Sequence, residues 1–299
     1  MSRKTIVVGT RGSALALTQT DWVIARMKEK APDLDFEVKV IKTKGDKILD
    51  VALDKIGDKG LFVKEIEKEL LSGEIDMAVH SMKDMPSEQP EGLVIAPPPE
   101  REDPRDVMIF REGISCIDEI PQGGKVGTGS KRRKYQLLSK REDIEAVPIR
   151  GNIQTRIKKI EELGLDAVIL AAAGIKRMKM EGLNIQHLEP EEFVPAPAQG
   201  MLAIEIRRDD ELIMNIAKRM SDGTATIQAR AERAFLRESG GGCHMPTGAY
   251  CSVLEDGMQM TALMGDEDGS SLVKKSISGK FGEEEIMAKR LATQMKKEL

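Results

Sequence analysis

Several large classes of protein are excluded by what this 299-residue sequence lacks. No stretch approaches the roughly 20 uninterrupted apolar residues that a membrane-spanning helix needs. The start, MSRKTIVVGTRGS, carries basic residues but only a very short apolar run, so we expect no secretory signal. Charged residues make up 32% and apolar residues 40%, a balance that excludes a disordered chain. We therefore expect a soluble, cytoplasmic protein with two or three domains, since about 100–200 residues make one domain.

Cysteine, histidine and excess positive charge are also scarce. The three cysteines (Cys116, Cys243 and Cys251) are an odd number in a long chain, which argues against a disulfide framework. The three histidines are scattered, and their spacing predicts no metal site. The net charge of −4 leaves no positive field to hold nucleic acid, and GTGSKRR lacks the order of a Walker loop. The sequence therefore predicts no metal and no nucleic-acid partner.

Strands and helices alternate through the first hundred residues. The β-branched run TIVVG, the alternating segment FEVKVIK and the apolar segment MAVH predict three strands. In FEVKVIK the alternation predicts one buried face, formed by Phe36, Val38 and Val40. Apolar residues at helical spacing predict helices over 16–31 and 62–70, the second ending at Gly73. This alternation predicts a parallel sheet with helices on its faces.

The pattern then repeats, and a third region of different character follows it. KVGT, AVPIR and DAVILAA predict strands, with helices over 131–139 and 153–163 between them. Prolines near 97–99 and 190–197 mark crossings between the two units, after which MLAIEI returns to the first unit as a strand. From about residue 222 a helix, three strands and a final charged helix predict an α+β unit. We predict three domains, over 1–99 with 200–218, over 105–194 and over 222–299.

Every strand end in the two α/β units carries a basic residue, a hydroxyl or a glycine. In open α/β sheets ligands bind beyond the carboxyl ends of the strands. In a chain of negative net charge, this placement predicts a cleft for a ligand with several carboxylates or phosphates. The segment 46–60, with glycines and several charges, is a candidate lid over the cleft. The strand-end segments are Thr10–Ser13, Thr43–Asp46, Ser81–Pro86, Thr128–Arg133, Arg150–Asn152 with Arg156, and Gly174–Arg177.

Two charged segments each allow a structural and a functional interpretation. The run Lys131–Lys134 can be a solvated helix start. A cation cluster at a helix N-terminus opposes the macrodipole, however, and so needs an anionic partner. Asp84 can form an Asx turn before Pro86, or it can be a carboxylate in an arginine-lined cleft that stabilises a cation or transfers a proton.

The histidine and the cysteines differ in their surroundings. His80 lies in an apolar strand, and we interpret it as a hydrogen-bonded core residue. Cys251 lies in the alternating segment AYCSVLE, which predicts an inert core thiol. Cys243 lies in the loop GGGCHMP, whose glycines expose backbone and let a ligand come close. Its thiol can be a nucleophile or an attachment point.

Taken together, these segments resemble the porphobilinogen deaminase (hydroxymethylbilane synthase) family over nearly the whole chain. The resemblance rests on TRGSALAL, TKGD, DKGLFVKEIE, AVHSMKDMP, REDPRD, GTGSKRR, IRGNIQTR, AAAGIKR, PAPAQG, AERAFL and GGGCHMP, in family order. The chain departs from the family at Gly129, where the family usually has GTSS, at Ala198, where glycine is usual, and at His244, where glutamine is common.

The resemblance implies a fold, a cofactor and a reaction. The fold is α/β, with two domains like the halves of type II periplasmic binding proteins and a smaller C-terminal α+β domain. The cofactor is a dipyrromethane joined by a thioether to Cys243. Four porphobilinogen units are added head to tail with loss of ammonia, and hydrolysis releases hydroxymethylbilane for tetrapyrrole (haem) biosynthesis. We expect a monomer.

The resemblance also implies the tasks of individual residues. Each pyrrole carries an acetate and a propionate, which bidentate arginines suit. Asp84, with Lys83, is expected to be catalytic, because loss of ammonia leaves a cation that needs an anionic partner. Substrate is expected to bind Arg11, Ser13, Arg150 and Arg177. The cofactor is expected to bind Cys243, Lys83, Asp84, Thr128, Ser130, Arg132, Arg133 and Arg156.

Two other functions fit parts of the sequence. A pure binding protein of the periplasmic type shares the two α/β units, but it needs export and leaves the third domain and the GGGC loop unexplained. A phosphate-handling transferase fits the cations, but no recognisable phosphate loop is present. Covalent mass on Cys243 distinguishes these alternatives.

Overall fold

The computed structural model describes residues 5–43, 45, 63–240 and 245–299. Cys243, His244, Phe62 and the candidate lid at 46–60 lie outside the described residues. The strands are β1 (Thr5–Thr10), β2 (Asp35–Val40), β3 (Met77–Ser81), β4 (Leu93–Ile95), β5 (Asp106–Phe110), β6 (Lys125–Gly127), β7 (Glu145–Val147), β8 (Ala167–Ala171), β9 (Ile185–Leu188), β10 (Leu202–Arg207), β11 (Gly248–Leu254), β12 (Gly257–Gly265) and β13 (Leu272–Gly279). The helices are α1 (Ala14–Lys30), α2 (Lys64–Ser72), α3 (Lys131–Lys140), α4 (Ile153–Glu162), α5 (Ala172–Arg177), α6 (Glu211–Met220), α7 (Gly223–Ser239) and α8 (Glu284–Lys296).

Two five-stranded sheets share one arrangement. The first has the order β2-β1-β3-β10-β4, and the second has the order β7-β6-β8-β5-β9. In each sheet the first three strands are parallel, and the fourth is antiparallel to both of its neighbours. The predicted fold class, two similar α/β units with parallel-rich sheets and a smaller α+β unit, is confirmed. The return of MLAIEI to the first unit is confirmed as well, because β10 lies between β3 and β4.

Local sequence accounts for the ends of the helices that flank the site. The Ser13 hydroxyl caps α1 by accepting a hydrogen bond from the Ala16 N–H at 3.3 Å. Helix α2 ends at Gly73, whose φ of 78° is in the left-handed region that glycine adopts without strain.

The burial predicted for the segment FEVKVIK is wrong. The strand itself is present as β2, but Val38 is 37% exposed and Val40 is 50% exposed. The reason is its position, since β2 is an edge strand that pairs only with β1 in the first sheet. Strand β7 is also shorter than the predicted AVPIR strand, because Pro148 has no N–H to donate to a ladder.

Each unit has its own buried core. In the first unit Ile6, Val8, Val79 and Ile204 pack beneath α1 and α6. In the third unit a three-stranded antiparallel sheet packs against α7 and α8, with Phe235 wholly buried between them. Sequence reasoning missed β4, β5 and β9, which are short or are buried without a clear period. It also missed the short helix α5 and the helix α6, although Ile213, Ile216 and Ala217 mark one buried face of α6. Across the part of the chain that the structure describes, no helix is long and apolar enough to cross a membrane.

Candidate functional site

The turn after β3 presents Lys83 and Asp84. It is a short 3₁₀ turn, Met82–Asp84, anchored by the buried side chains of Met82 and Met85. The Met82 N–H donates to the Met201 carbonyl at 3.0 Å, which holds the turn against the segment that returns from the second unit. The two methionines are buried in the core, whereas Asp84, which lies between them, is turned outward and is exposed.

The Asp84 carboxylate has charged neighbours but is bonded to none of the residues that the structure describes. No described residue forms a hydrogen bond or an ion pair with it, so the Asx turn that the sequence allowed is not formed among residues 63–240. Lys83 and Arg156 are its charged neighbours, and the interaction with Asp84 raises the pKa of each. An exposed carboxylate between cations is free to meet a cationic ligand group.

Lys83 points the other way, into the crossing between the two units. Its Nζ donates to Oε1 of Gln199 at 3.2 Å. Burial and, to a smaller extent, the Arg133 guanidinium lower the pKa of Lys83 to about 8, although Asp84 and Asp106 oppose the shift. The amine therefore lies among charges from both units.

The two arginines at the start of α3 share a buried carboxylate. Arg132 Nη1 donates to Oδ2 of Asp106 at 2.6 Å, and Arg133 Nη2 donates to Oδ1 of the same residue at 2.7 Å. Burial disfavours the charged form of Asp106, but both guanidiniums outweigh it and hold the pKa of the carboxyl below its usual range. The anionic partner that the macrodipole argument required is therefore supplied by the protein itself, at the first residue of β5.

The hydroxyls predicted to bind the cofactor also shape this helix start. The Thr128 Oγ1 accepts from the Ser130 N–H at 3.2 Å, and the Ser130 Oγ accepts from the Arg133 N–H at 3.4 Å. Between them, a Cβ on Gly129 would lie 2.6 Å from the Ile149 carbonyl oxygen. Glycine at 129 therefore suits the close approach of the two strand-end turns in this chain.

Arg156 and Arg177 have similar surroundings on different helices. Arg156 Nε donates to the Gly151 carbonyl at 2.8 Å, and Arg177 Nη2 donates to the Gly200 carbonyl at 2.7 Å. The pKa of each is lowered to about 10, chiefly by burial, and Arg133 contributes to the lowering at Arg156. Each guanidinium thus bonds to a neutral carbonyl. The carboxylate that raises its pKa, Asp84 for Arg156 and Glu102 for Arg177, forms no ion pair with it in the described structure. Arg11 and Arg150, both half-buried, follow β1 and β7.

Other predicted residues lie away from these charges. His80 is buried, and its Nε2 is 3.1 Å from Oε2 of Glu205, which confirms a hydrogen-bonded core histidine. Cys251 is wholly buried in β11, and burial raises the pKa of its thiol to about 12, as expected of an inert core thiol. In the described ranges no cluster of His, Cys, Asp or Glu is suited to a metal ion.

A cavity of about 390 Å³ lies away from these cations, between the first crossing segment and the third unit. It does not suit a ligand with several carboxylates. Its walls carry the carboxylates Glu100, Glu102, Asp103 and Asp222. Arg101, which also lines it, is already paired with Glu232 at 2.7 Å. An anionic ligand would be repelled there, so we place the candidate site at Lys83, Asp84 and the arginines.

Sequence reasoning missed Asp106 and Gln199 as parts of this site. Both lie in motifs that carried the family resemblance, REDPRD and PAPAQG. A charged residue at the start of an otherwise apolar segment, Asp106 before VMIF, was the available signal for a buried ion pair. Nothing in the sequence pattern distinguishes Gln199 from a surface glutamine.

Comparison with known proteins identifies the family. Residues 6–215 match the family model described as porphobilinogen deaminase, dipyromethane cofactor binding domain. Residues 226–297 match the model of the porphobilinogen deaminase C-terminal domain. The chain belongs to the porphobilinogen deaminase family. The predicted family and the predicted enzyme activity, polymerisation of porphobilinogen to hydroxymethylbilane, are thereby confirmed.

Individual porphobilinogen deaminases match over their full length. The protein of Clostridium novyi (strain NT) is 55% identical over 98% of this chain and 99% of its own. That of Clostridioides difficile (strain 630) is 52% identical over 98% of this chain and 97% of its own. Among solved structures, a probable amino-acid ABC transporter extracellular-binding protein from Bacillus subtilis matches with a TM-score of 0.43 and 12% identity, over 72% of this chain and 89% of that chain.

Proposed function

We propose that this chain adds four porphobilinogen units head to tail, with loss of ammonia, while a dipyrromethane held by a thioether at Cys243 anchors the product. The observation that carries the proposal is the set of cations from both α/β units around the unpartnered Asp84 carboxylate. Hydrolysis then releases hydroxymethylbilane. A chain of pyrroles with two carboxylates each is the kind of ligand that such a set of cations stabilises.

The donor set fits the dipyrromethane. Its acetate and propionate groups call for several cations and hydroxyls, and the strand-end turns offer both. Nη2 of Arg132 forms no hydrogen bond with a described residue, so this guanidinium can serve Asp106 and a ligand carboxylate together. When bound, the group supplies the terminal pyrrole carbon to which the first substrate unit is joined. We assign its binding to Lys83, Asp84, Thr128, Ser130, Arg132, Arg133 and Arg156, and its attachment to Cys243.

Asp84 is proposed as the catalytic carboxylate, assisted by Lys83. Loss of ammonia leaves positive charge on the substrate, and a carboxylate without a competing partner stabilises that charge. Its oxygens can accept hydrogen bonds from pyrrole N–H groups and from the departing amine. Lys83, beside it, can hold a ligand carboxylate in register.

Incoming substrate is proposed to bind Arg11, Ser13, Arg150 and Arg177. In the structure, Arg177 bonds to a neutral carbonyl and has Glu102 only as a charged neighbour, so its guanidinium can also pair with a substrate carboxylate. We further propose that the protein is a cytoplasmic monomer without nucleic-acid or membrane partners, with domains over 1–99 with 200–218, 105–194 and 222–299.

Intact-protein mass tests the attachment directly. The purified protein should be heavier than its sequence by two linked pyrrole units, and Cys243→Ser should abolish the added mass. Cys116→Ser is the matched control, because Cys116 is half-buried outside the site, and it should leave the mass unchanged. Cys251→Ser should also keep the mass. A wild-type protein that is unmodified yet fully active would overturn the proposal.

Product analysis tests the reaction itself. Wild-type protein given porphobilinogen should release four molecules of ammonia for each hydroxymethylbilane. A different ratio would mean that another product is formed.

A further inference from the structure

Gln199 lies at the point where the chain returns from the second unit to the first. Its neighbours Ala198 and Gly200 have φ values of 60° and 90°, so two left-handed residues flank it. A Cβ on Gly200 would lie 2.2 Å from the Glu102 carbonyl oxygen, which shows how closely the two crossing segments approach. Gln199 itself is 0% exposed. A buried amide in so tight a turn needs partners for both of its ends.

Both ends of the Gln199 side chain are bonded, and to different units. Oε1 accepts from Lys83 Nζ at 3.2 Å, next to the catalytic turn of the first unit. Nε2 donates to Oδ1 of Asp106 at 3.0 Å and to the Pro104 carbonyl at 2.8 Å. Asp106 is the carboxylate that holds the two arginines of α3. One amide thus connects the cation of the first unit to the ion-pair cluster of the second.

The backbone of Gln199 is held from the third unit. Arg101 Nε donates to the Gln199 carbonyl at 2.9 Å, and its terminal nitrogens pair with Glu232 on α7 at 2.7 and 3.0 Å. Glu232 Oε2 also accepts from the Ala198 N–H at 2.6 Å. Because the main chain is fixed on both sides of Gln199, the direction of its side chain is set before any ligand binds.

We propose that Gln199 is a positioning residue that fixes Lys83 relative to the Asp106–Arg132–Arg133 cluster and so sets the spacing of the anion-binding cations of the two units. The inference rests on the proposed function, because it assigns to Lys83 and the α3 arginines a shared carboxylate ligand. The amide supplies the acceptor and the donor that the two contacts require. A carboxylate at 199 would accept from Lys83 but repel Asp106, and a thioether would be a weak acceptor and no donor.

The test compares Gln199→Glu and Gln199→Met by the pH dependence of kcat/KM for porphobilinogen. The charged groups around Lys83 are Asp84, Asp106, Arg132 and Arg133. A carboxylate at 199 should stabilise the Lys83 ammonium and move the alkaline limb of the kcat/KM profile to higher pH by about one pH unit. Methionine at 199 removes the amide oxygen that accepts from Lys83 and should move the alkaline limb to lower pH. Lys83→Arg, whose guanidinium does not titrate in this range, should abolish the limb.

The matched control is Gln228→Met. Gln228 is another buried glutamine, whose Nε2 donates to the Cys251 carbonyl at 2.8 Å in the third unit. Its loss should lower stability without moving the limb. The positioning role would be refuted if the alkaline limbs of the pH profiles coincided in all variants. It would also be refuted if Gln228→Met shifted the limb as far as Gln199→Met does.

A second readout does not depend on turnover. The fraction of protein that carries the added mass should fall at least about threefold in Gln199→Met and remain at the wild-type level in Gln228→Met. Equal loading of these two variants would also overturn the inference. Failure of the proposed function is distinguishable, because the wild-type protein itself would then lack the added mass and the product.

Discussion

Asp84 and Asp106 both lie within electrostatic reach of Lys83, yet the two regions that carry them are built in opposite ways. Asp106 begins a fully buried strand, is 0% exposed and is bonded to Arg132, Arg133 and Gln199. Asp84 ends a short turn, is exposed and has no hydrogen bond or ion pair among the described residues. One carboxylate is committed to the protein, and the other is left for a ligand.

A buried carboxylate allows a cation-rich region to fold before it binds a ligand. Two buried guanidiniums without a counterion would be strongly destabilising. Asp106 offsets their charge and still leaves the pair with a net positive charge for a ligand. Asp84 differs, since burial or pairing would remove the exposed anion that we propose for the chemistry.

Loss of the Asp106 charge should have the largest effect on stability. Asp106→Asn leaves two buried guanidiniums without their carboxylate, so the free energy of unfolding should fall by about 3–5 kcal/mol. Urea unfolding measures the loss. Asp143→Asn is the control, because Asp143 pairs with Arg141 at 2.7 Å in a more exposed setting and should cost at most about 1 kcal/mol. Equal losses in both variants would show that burial does not distinguish the pairs.

Loss of the Asp84 charge should affect turnover instead. Asp84→Asn removes one electrostatic contact to the cationic intermediate and should lower kcat on the order of 10²–10³-fold, or about 3–4 kcal/mol. Steady-state kinetics measures it. The variant should keep the added mass, and its free energy of unfolding should change by at most about 0.5 kcal/mol. Near-normal turnover would assign Asp84 to a structural turn.

Variants of Arg156 and Arg177 test whether the proposed cofactor and substrate sites use different arginines. The two are alike in burial, in pKa and in bonding one backbone carbonyl, so their leucine variants are matched. Stranding a ligand carboxylate should cost about 2 kcal/mol or more. Intact mass should show little bound dipyrromethane in Arg156→Leu, whereas Arg177→Leu should be loaded but stall during assembly or bind porphobilinogen weakly.

Arg132 provides a further test of the division of the arginines between cofactor and substrate. Arg132→Leu should also lack the added mass, but it should lose stability as well, since Asp106 then keeps only one guanidinium. Identical occupancy and identical stalled intermediates in Arg156→Leu and Arg177→Leu would show that the arginines are not divided by task.

The smallest effect is expected at Ala198. A non-glycine residue at φ 60° is strained by about 1–2 kcal/mol, and glycine relieves that strain. Glycine also loses more entropy on folding and gives up a buried methyl group. Ala198→Gly should therefore raise the free energy of unfolding by at most about 1 kcal/mol, with unchanged turnover. Thermal unfolding measures it, and a clear loss of stability would mean that the methyl packing outweighs the strain.

Periodicity predicted the long elements well and the short buried ones poorly. Helix α1 follows from spacing alone, because it presents one regular face to the core. Strand β1 follows from its run of β-branched residues. Strand β5 has five buried residues in a row, a pattern that periodicity cannot distinguish from a buried helix segment. Val38 and Val40 were expected inside, but alternation gives only the two faces of a strand, and the position of β2 at a sheet edge decides what covers them.

For the candidate site, sequence alone determined which residues follow the strands, and hence that cations, hydroxyls and Asp84 meet at one edge of each sheet. This information is local, because strand polarity places the carboxyl ends together. Which of these charged groups bond to one another depends on the tertiary structure. Asp106 reaches the α3 arginines across 26 and 27 residues of sequence, and Gln199 reaches Lys83 across 116. These long-range hydrogen bonds and ion pairs depend on how the sheets and crossing segments pack. A charge attraction that is weak at the surface becomes strong when it is buried, and a buried polar group without a partner is costly.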